Sequence, residues 1–358
     1  MRAVAVTPGT KDSLHLREDV PAPEPAAGEA MIQVLETGVC GTDMEIHQGL
    51  YGQAPPGSDF LILGHESLGV VESGSGDSGL APGDLVVATV RRPCPEMCGP
   101  CSSGQNDMCL TGHFKERGIG GLHGFMSDRY AESPRYLVRV PAPLRPFAVL
   151  TEPMTIVEKG IEQAFRAQER LPWDPQQAVV LGAGPVGMLA AAALRLRGFE
   201  VTVAALEPEG SFKDTLLAEA GIDYVSTRST PLDALRDKID RIDVVFEATG
   251  AATVVFPALQ LLGPNGVGIL TSVTGGQRKL EVDVAGWNRE MVLGNRLVFG
   301  TVNAARRHFE AALRDFEAAE SRLPGWLGRL ITRRLPVSEA MSALVRTPED
   351  IKTVLEFA

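Results

Sequence analysis

The first 150 residues consist of short hydrophobic or alternating segments that are separated by Gly, Pro and Asp. Four segments have the length and pattern of β-strands, at residues 2–6, 30–35, 67–71 and 84–88. Turn-forming residues lie between them, at positions 8–9, 74–79 and 82–83. Many short strands at close spacing predict a compact, barrel-like β domain over residues 1–150.

The pattern changes after residue 152, where short hydrophobic strands alternate with longer helical segments. Helices are predicted at residues 154–169, 188–196 and 212–220, and strands at 177–181, 200–205, 242–246 and 266–270. This alternation indicates βαβ units and a parallel sheet. The fold class is therefore α/β, with a Rossmann-type doubly wound sheet at 151–303. Helix-like patterns at 308–316 and 336–357 belong to a segment, 304–358, that we expect to return to the first domain.

Composition excludes some classes of partner. Hydrophobic residues make up 44% of the 358 residues and charged residues 22%, as in ordinary globular proteins. The net charge of −11 argues against binding to nucleic acid or to an anionic membrane. No secretory signal and no apolar stretch of membrane-spanning length is visible, so a reducing cytoplasm is expected.

Four of the five cysteines lie close together, at Cys94, Cys98, Cys101 and Cys109. Four thiolates at this spacing can surround one zinc ion and leave no open position, which is typical of a structural site. The alternatives are two disulfides, which need an oxidising compartment, or four unconnected thiols. An Fe–S cluster is the main chemical competitor.

A glycine-rich turn follows the predicted strand at 177–181 and opens the next helix. It reads Gly182-Ala-Gly184-Pro185-Val186-Gly187. In this context the three glycines permit a tight turn, close approach of a pyrophosphate and close helix–strand packing. The helix N-terminus offers unpaired N–H groups to the phosphates. The alternative is a glycine-rich turn without a ligand.

The end of the second strand of the βαβ unit favours NAD over NADP. It reads Ala205-Leu206-Glu207, with Glu209 close behind, and contains no arginine that could bind a 2′-phosphate. An acidic residue near this position hydrogen bonds the ribose hydroxyls of NAD. Glu207 lies about two residues beyond the usual acidic position, which Ala205 occupies.

A second candidate metal site combines residues from three separate segments. Cys40 lies in Gly38-Val-Cys40-Gly-Thr42-Asp43, His65 and Glu66 follow Gly64, and Glu152 lies at the change of pattern. A thiolate, an imidazole and a carboxylate from different loops can hold a zinc ion with one position open, as catalytic sites do. His47, His113 and His123 are expected to be structural or surface histidines.

The chain resembles the zinc-dependent medium-chain dehydrogenase/reductase family over its whole length. The family motifs are Gly64-His65-Glu66-Ser-Leu-Gly69, the four-cysteine segment and Gly182 to Gly187. Val90-Arg91-Arg92, Gly112 to Gly120, Leu122 to Met126 and Gly300-Thr-Val-Asn303 resemble the glucose (aldose) dehydrogenase branch. The resemblance implies a GroES-like barrel for the first domain, one catalytic and one structural zinc, and a homodimer or homotetramer.

The resemblance also implies roles for individual residues. Cys40, His65, Glu66 and Glu152 match the catalytic-zinc region, and Thr42 matches the hydroxyl that passes on the substrate proton. Glu116 matches a residue that binds sugar hydroxyls, and Asn303 matches one near the nicotinamide and the sugar. Thr249 is expected to contact the cofactor. Val90 and Ile156 differ from the Asn and Asp that some members carry, and Ala205-Leu206-Glu207 replaces their arginine-containing segment.

The predicted activity is oxidation of an aldose at C1 to a lactone, with hydride transfer to a nicotinamide cofactor. A polyol, cyclitol or other secondary-alcohol dehydrogenase is the alternative within the family. A non-catalytic dinucleotide-binding protein is the alternative from another class.

Overall fold

The computed structural model describes residues 1–74, 79–274 and 278–357. Contacts divide the chain into two units. One contains Met1–Thr155, Asn303–Glu317 and Leu327–Ala358, and the other contains Ile156–Val302 and Ala318–Trp326. The domain limits at residues 150/151 and 303/304 stay a prediction. Residues 75–78 of the predicted turn at 74–79 lie outside the described residues.

The first unit is rich in short strands, as the alternating pattern predicts. Its N-terminal strands are β1 (Ala3–Val6), β2 (His15–Arg17), β3 (Ala30–Val39), β4 (Leu61–Ile62), β5 (Glu66–Ser73), β6 (Leu85–Ala88), β7 (Arg91–Arg92), β8 (Lys115–Arg117), β9 (Gly121–Leu122), β10 (Arg129–Glu132) and β11 (Leu137–Arg139).

Within the described residues, the strands of the second unit are β12 (Gln177–Leu181), β13 (Glu200–Ala205), β14 (Asp223–Ser226), β15 (Val244–Glu247), β16 (Val267–Leu270) and β17 (Leu297–Gly300). The chain then adds two strands to the first unit, β18 (Ile331–Pro336) and β19 (Lys352–Glu356).

The α-helices are α1 (Gly41–His47), α2 (Gly99–Ser102), α3 (Thr151–Gln168), α4 (Pro185–Leu196), α5 (Phe212–Glu219), α6 (Leu235–Lys238), α7 (Ala252–Gln260), α8 (Val284–Leu293), α9 (Arg306–Arg322) and α10 (Ala340–Ala343). Among the described residues, none of these helices is long and apolar enough to cross a membrane.

Strands of two sheets of the first unit contribute to one hydrophobic core, which includes Val4, Ile32 and Val86. The largest sheet has the order β11-β6-β5-β3-β19-β18, and β10 also pairs with β3; two smaller sheets have the orders β2-β1-β4 and β7-β8-β9. In β3, Ala30, Ile32 and Val34 are fully buried and alternate with partly exposed side chains. This period of two directs one face of the strand toward the core.

The second unit contains a parallel sheet in the order β14-β13-β12-β15-β16-β17. This order is that of a Rossmann-type sheet, in which the chain reverses direction across the sheet after its first three strands. Helix α4 buries Met188, Leu189 and Ala190, together with Ala191, Ala193 and Leu194. The predicted α/β fold class is confirmed.

The prediction for the C-terminal segment is partly wrong. The helix-like pattern at 308–316 lies within α9, but the pattern at 336–357 does not form one long helix. Among its described residues it contains the 3-10 helix Val337–Glu339, the short α10 and then strand β19, which pairs antiparallel with β3 and parallel with β18. Strand pairing with distant residues outweighs the local helical pattern here.

Candidate metal centres and cofactor loop

The four-cysteine segment folds into a small lobe in which all four sulfur atoms converge. The Sγ atoms of Cys94, Cys98, Cys101 and Cys109 lie within 4.8 Å of one another, and the thiols are free. Cys98 and Cys109 are 3.9 Å apart at Sγ. A tetrahedron with metal–sulfur distances of about 2.3 Å has edges of roughly 3.8 Å, so this donor set fits a zinc ion.

The main chain of the lobe also supports anionic sulfur. The N–H group of Cys98 donates to Cys94 Sγ at 3.4 Å, and the N–H group of Leu110 donates to Cys98 Sγ at 3.5 Å. The hydrogen bond with Thr111 lowers the pKa of Cys109 and the Leu110 N–H lowers the pKa of Cys98, whereas burial raises the pKa of Cys101. Hydrogen bonds to the charged form favour the thiolate, which is the form that binds metal.

A second donor group forms where β3 ends and β5 begins. Cys40 is the residue before helix α1, and its Sγ lies 3.1 Å from His65 Nε2. The donor atoms of Cys40, His65 and Glu66 lie within 4.8 Å of one another. Burial lowers the pKa of His65. The neighbouring Cys40, Asp43 and Glu152 raise it by more, so the pKa of His65 lies well above its ordinary value. A bound cation would relieve this concentration of negative groups.

Two buried residues that flank this group hold its members in place. Asp43 accepts a hydrogen bond from the Cys40 N–H at 3.0 Å, and its Oδ1 lies 3.9 Å from His65 Nδ1. Lys352 Nζ donates to Glu66 Oε1 at 2.6 Å and to the Val39 carbonyl at 3.1 Å. Such outer contacts orient the ligands of metal sites.

Gly38 leaves the space that Glu66 occupies. A Cβ atom at this position would lie 1.9 Å from Glu66 Oε2, so a larger residue would displace the carboxylate. The glycine in the motif Gly38-Val-Cys40 is therefore explained by this close approach.

Glu152 faces the same donor group but is not among its closest atoms. It lies in the first turn of α3. Among the described residues, the donor atoms that lie within 4.8 Å of one another belong to Cys40, His65 and Glu66, and Glu152 is not one of this group. Burial raises the pKa of Glu152, and the nearby His65 opposes this effect. The structure therefore places Glu152 next to the histidine without making it the nearest ligand.

Thr42 lies in the first turn of α1, two residues after Cys40. Its side chain is partly exposed and lies close enough to Tyr51 to affect the phenol, whose pKa is raised mainly by burial. A hydroxyl pair next to Cys40 can accept and pass on a proton.

The two predicted substrate residues contact each other directly. Asn303 Nδ2 donates to Glu116 Oε1 at 2.9 Å. Glu116 lies in β8, and Asn303 has a left-handed backbone conformation with φ of +58°. Their side chains are separated by 187 positions in the sequence, and the fold brings them together.

The glycine-rich loop has the geometry that a dinucleotide needs. Gly182 follows β12 with φ of +100°, and Gly184 is the residue before α4, which begins Pro185-Val186-Gly187. A Cβ atom on Gly187 would lie 1.9 Å from the Gly182 carbonyl oxygen, whereas one on Gly184 would have no protein atom within 4 Å. Gly187 therefore serves packing, and Gly184 leaves open space next to the helix N-terminus.

Two further cofactor candidates lie in the same unit. Thr249 packs its methyl group against Gly182, and its N–H group donates to the buried Glu247 at 2.7 Å. Glu207 follows β13 and forms an ion pair with Lys213, which is buried. Tyr224 donates to the Glu207 carbonyl at 2.8 Å.

The three remaining histidines of the sequence analysis contact other groups. His123 stacks on Phe60 with ring centroids 4.9 Å apart, and His113 Nδ1 lies 2.7 Å from Glu96 Oε1. His47 lies 3.4 Å from Asp12.

Comparison with known proteins matches both parts of the chain. Residues 26–142 match the alcohol dehydrogenase GroES-like domain, and residues 145–357 match the glucose dehydrogenase C-terminus. The chain belongs to the zinc-dependent medium-chain dehydrogenase/reductase family, in its glucose dehydrogenase branch.

Relatives of this branch match the chain over its full length. Glucose 1-dehydrogenase of Methanocella arvoryzae is 46% identical over 357 residues, which cover 99% of both chains. Glucose 1-dehydrogenase of Thermoproteus tenax is 44% identical, again with 99% of both chains covered.

The fold of this dehydrogenase is similar to that of a solved structure over the full length of the chain. It is Haloferax mediterranei glucose dehydrogenase in complex with NADP, Zn and gluconolactone. Its TM-score is 0.92 at 38% identity, and the match covers 100% of this chain and 99% of the other.

Sequence reasoning missed several residues of this dehydrogenase that contact the predicted site. No sequence motif pointed to Lys352, because it lies 286 positions from its partner Glu66. Asp43 lies three residues after Cys40, and this capping-box spacing could have identified it. Arg91 was quoted in a motif, but its contact with Glu116 follows from strand pairing, which the pattern did not reveal.

Proposed function

We propose that this dehydrogenase oxidises glucose or a closely related aldose at C1 to the lactone, with reduction of a nicotinamide dinucleotide. The observation that carries the proposal is the group formed by Cys40, His65 and Glu66, whose donor atoms lie within 4.8 Å of one another. Glu116 and Asn303, the two residues expected to bind the sugar, are hydrogen bonded to each other and belong to the same structural unit. The relatives that match the full chain are glucose 1-dehydrogenases.

Cys40, His65, Glu66 and Glu152 would serve a catalytic zinc ion, and the four-cysteine lobe would hold a structural one. The catalytic ion, when bound, supplies Lewis-acid polarisation of the hydroxyl group that is oxidised. Lys352 keeps Glu66 in place, and Asp43 fixes the Cys40 main chain and lies beside His65 as a negative charge. Thr42 Oγ1 would accept the hydroxyl proton while it releases its own proton toward solvent, because its side chain is partly exposed.

Glu116 and Asn303 would select the sugar. A carboxylate and an amide in fixed positions accept and donate hydrogen bonds to hydroxyl groups, and a substrate that lacks a matching hydroxyl leaves them unpaired. The proposed specificity is therefore for a polyhydroxylated ring rather than for a simple alcohol.

The cofactor loop would bind the dinucleotide through Gly182, Gly184 and the N-terminus of α4, which includes Pro185, Val186 and Gly187. Glu207, Thr249 and Asn303 would complete the contacts. We propose that NAD is used at least as well as NADP. Lys213 pairs with Glu207, so the local charge that a 2′-phosphate meets is close to neutral rather than positive.

We further propose a homodimer or homotetramer that works in a reducing cytoplasm. The free thiols of the lobe are compatible with that compartment, because a disulfide would remove metal ligands. Light scattering of the purified protein measures the subunit number.

The test is reduction of NAD and NADP in parallel across a panel of aldoses, polyols and simple secondary alcohols. The proposal expects glucose or one of its epimers to give the highest kcat/KM, and a lactone as product. If the enzyme clearly preferred a polyol or a simple alcohol, that compound would become the proposed substrate instead of an aldose. The family membership would not change.

A further inference from the structure

Arg91 is a buried cation, and each of its three guanidinium nitrogen atoms lies close to an acceptor. Its Nε and Nη2 atoms lie 3.1 and 3.0 Å from Glu116 Oε1, and its Nη1 donates to the Asp107 carbonyl at 3.1 Å. The guanidinium group also stacks over the Phe114 ring, 3.6 Å from its centroid. Only 7% of Arg91 is exposed. Burying a guanidinium group is unfavourable unless its donors are paired, so each of these contacts constrains the side chain.

Strand pairing explains why Arg91 meets Glu116. Strands β7 and β8 are antiparallel, and Arg91 is directly opposite Glu116 in their register. Side chains of directly opposite residues project from the same face of a sheet. The next residue, Arg92, projects from the other face and pairs with Glu132 instead.

The contacts to Glu116 converge on one of its two carboxylate oxygens. Arg91 Nε, Arg91 Nη2 and Asn303 Nδ2 all lie within 3.1 Å of Oε1. Within residues 1–74, 79–274 and 278–357, no hydrogen bond is made to Glu116 Oε2. Asn303 is itself held by the Ala304 N–H group, which donates to its Oδ1 at 2.8 Å. The carboxylate therefore has a defined orientation with one free acceptor.

Arg91 also connects Glu116 to the four-cysteine lobe. Asp107 lies in the 3-10 helix Asn106–Met108, between Cys101 and Cys109. Asn106 Nδ2 lies 3.5 Å from the Arg91 carbonyl and donates to it. Arg91 and the lobe therefore each donate a hydrogen bond to the other. The lobe thus fixes the guanidinium group, and the guanidinium group fixes the carboxylate.

We propose that Arg91 is a positioning residue for the sugar substrate. It occupies Glu116 Oε1 so that Oε2 points to and accepts a hydrogen bond from a sugar hydroxyl, and it anchors this arrangement on the folded lobe. The inference rests on the proposed function, because it takes Glu116 as the residue that binds the sugar.

Lysine cannot replace this arginine. A single ammonium group cannot donate to Glu116 and to the Asp107 carbonyl with the spacing of a planar guanidinium group. Arg91→Lys keeps the charge and loses the geometry. Arg92→Lys is the matched control, since Arg92 is a buried arginine next in sequence, with a carboxylate partner that is not Glu116.

The experiment measures KM for glucose, KM for the dinucleotide, kcat, zinc content and melting temperature of the zinc-loaded enzyme. The variants are Arg91→Lys, Arg92→Lys, Glu116→Gln and the double variant Arg91→Lys/Glu116→Gln. For Arg91→Lys we expect KM for glucose to rise by about tenfold or more, since a loosened contact weakens recognition of a hydroxyl. KM for the dinucleotide and zinc content should stay near the wild-type values, and Arg92→Lys should keep the wild-type KM for glucose.

The double variant separates positioning from general loosening. If Arg91 acts through Glu116, the effects of the two changes on KM for glucose are non-additive, and Arg91→Lys adds little to Glu116→Gln. Fully additive effects, or an unchanged KM for glucose in Arg91→Lys, would overturn the inference. The proposed function would still stand in that case if Glu116→Gln raises KM for glucose. An unchanged KM for glucose in Glu116→Gln would remove Glu116 from the proposed function itself.

A folding defect is distinguishable from both results. If Arg91→Lys does not fold, Arg91→Gln provides a smaller polar donor for the same measurements. If neither folds although Arg92→Lys does, Arg91 is required for folding, and the positioning role is overturned.

Discussion

Lys352 Nζ donates a hydrogen bond of 2.6 Å to Glu66 Oε1, and the two residues are only 1% and 2% exposed. They are 286 positions apart, at the C-terminal strand β19 and the start of β5. The pair secures a carboxylate next to His65 and holds the last strand of the chain against the candidate metal centre.

Lys352→Met should destabilise the protein strongly. In the zinc-free protein the variant leaves the Glu66 carboxylate buried without a positive partner, and breaking a buried ion pair in this way costs about 3–5 kcal/mol. Urea unfolding of both proteins measures the difference in the free energy of unfolding. Lys11→Met is the control, because the Lys11 side chain is 73% exposed, and it should unfold like the wild type. Equal unfolding free energies for Lys352→Met and the wild type would show that the pair contributes nothing.

Cys101→Ser should release about one zinc ion per chain and lower the melting temperature. The serine hydroxyl is a much weaker zinc ligand than a thiolate, and binding of a structural metal is coupled to folding. Elemental analysis and circular dichroism measure the two effects. Ser102→Ala, in the same short helix, leaves all four sulfur atoms in place and serves as control. Full zinc content in Cys101→Ser would contradict the assignment of the lobe as a zinc site. If elemental analysis found iron in the wild type, the lobe would be assigned as an Fe–S cluster site instead.

The two glycines of the cofactor loop should respond differently to alanine. Gly187→Ala places a Cβ atom 1.9 Å from the Gly182 carbonyl, so it should lower stability as well as dinucleotide binding. Gly184→Ala meets no protein atom within 4 Å and should fold normally while binding the dinucleotide more weakly, by about tenfold. Thermal unfolding and isothermal titration with NAD separate the two effects. Wild-type NAD affinity in Gly184→Ala would contradict the position of the pyrophosphate at this residue.

Cofactor preference should depend on the balance of charge between Glu207 and Lys213. Wild-type kcat/KM should be at least as high with NAD as with NADP. Glu207→Arg adds a cation where a 2′-phosphate would lie and should shift the ratio toward NADP by about tenfold or more. Lys213→Met removes the cation and should shift it toward NAD. A wild-type preference for NADP above tenfold would refute this interpretation of the loop, and the dehydrogenase assignment would remain.

Local patterns predicted the parts of the molecule that depend on neighbouring residues. The four cysteines lie within one short segment, and the loop from Gly182 to Gly187 lies between its own strand and helix, so spacing alone indicated both structures. Cys40 and His65 were paired through their motifs, and the structure places their side chains in contact. These features need no knowledge of distant strand pairing.

Long-range pairing accounts for what the sequence did not reveal. Lys352 reaches Glu66 because β19 pairs with β3, and the helix-like pattern of that segment concealed the strand. Arg91 meets Glu116 through the register of β7 and β8, which depends on the fold of the intervening lobe. The ion pair of Glu207 with Lys213 requires the turn after β13, so residue spacing did not predict it.

Glucose oxidation by Cys40→Ala tests the central claim most directly. Wild type and variant are first matched for zinc in the four-cysteine lobe and for NAD affinity, and formation of gluconolactone is then measured together with reduced dinucleotide. Loss of the Cys40 thiolate should lower kcat with glucose by about a thousandfold or more, because the remaining donors cannot hold the ion that polarises the substrate. Wild-type turnover in a variant that keeps its lobe zinc and its NAD affinity would contradict the account.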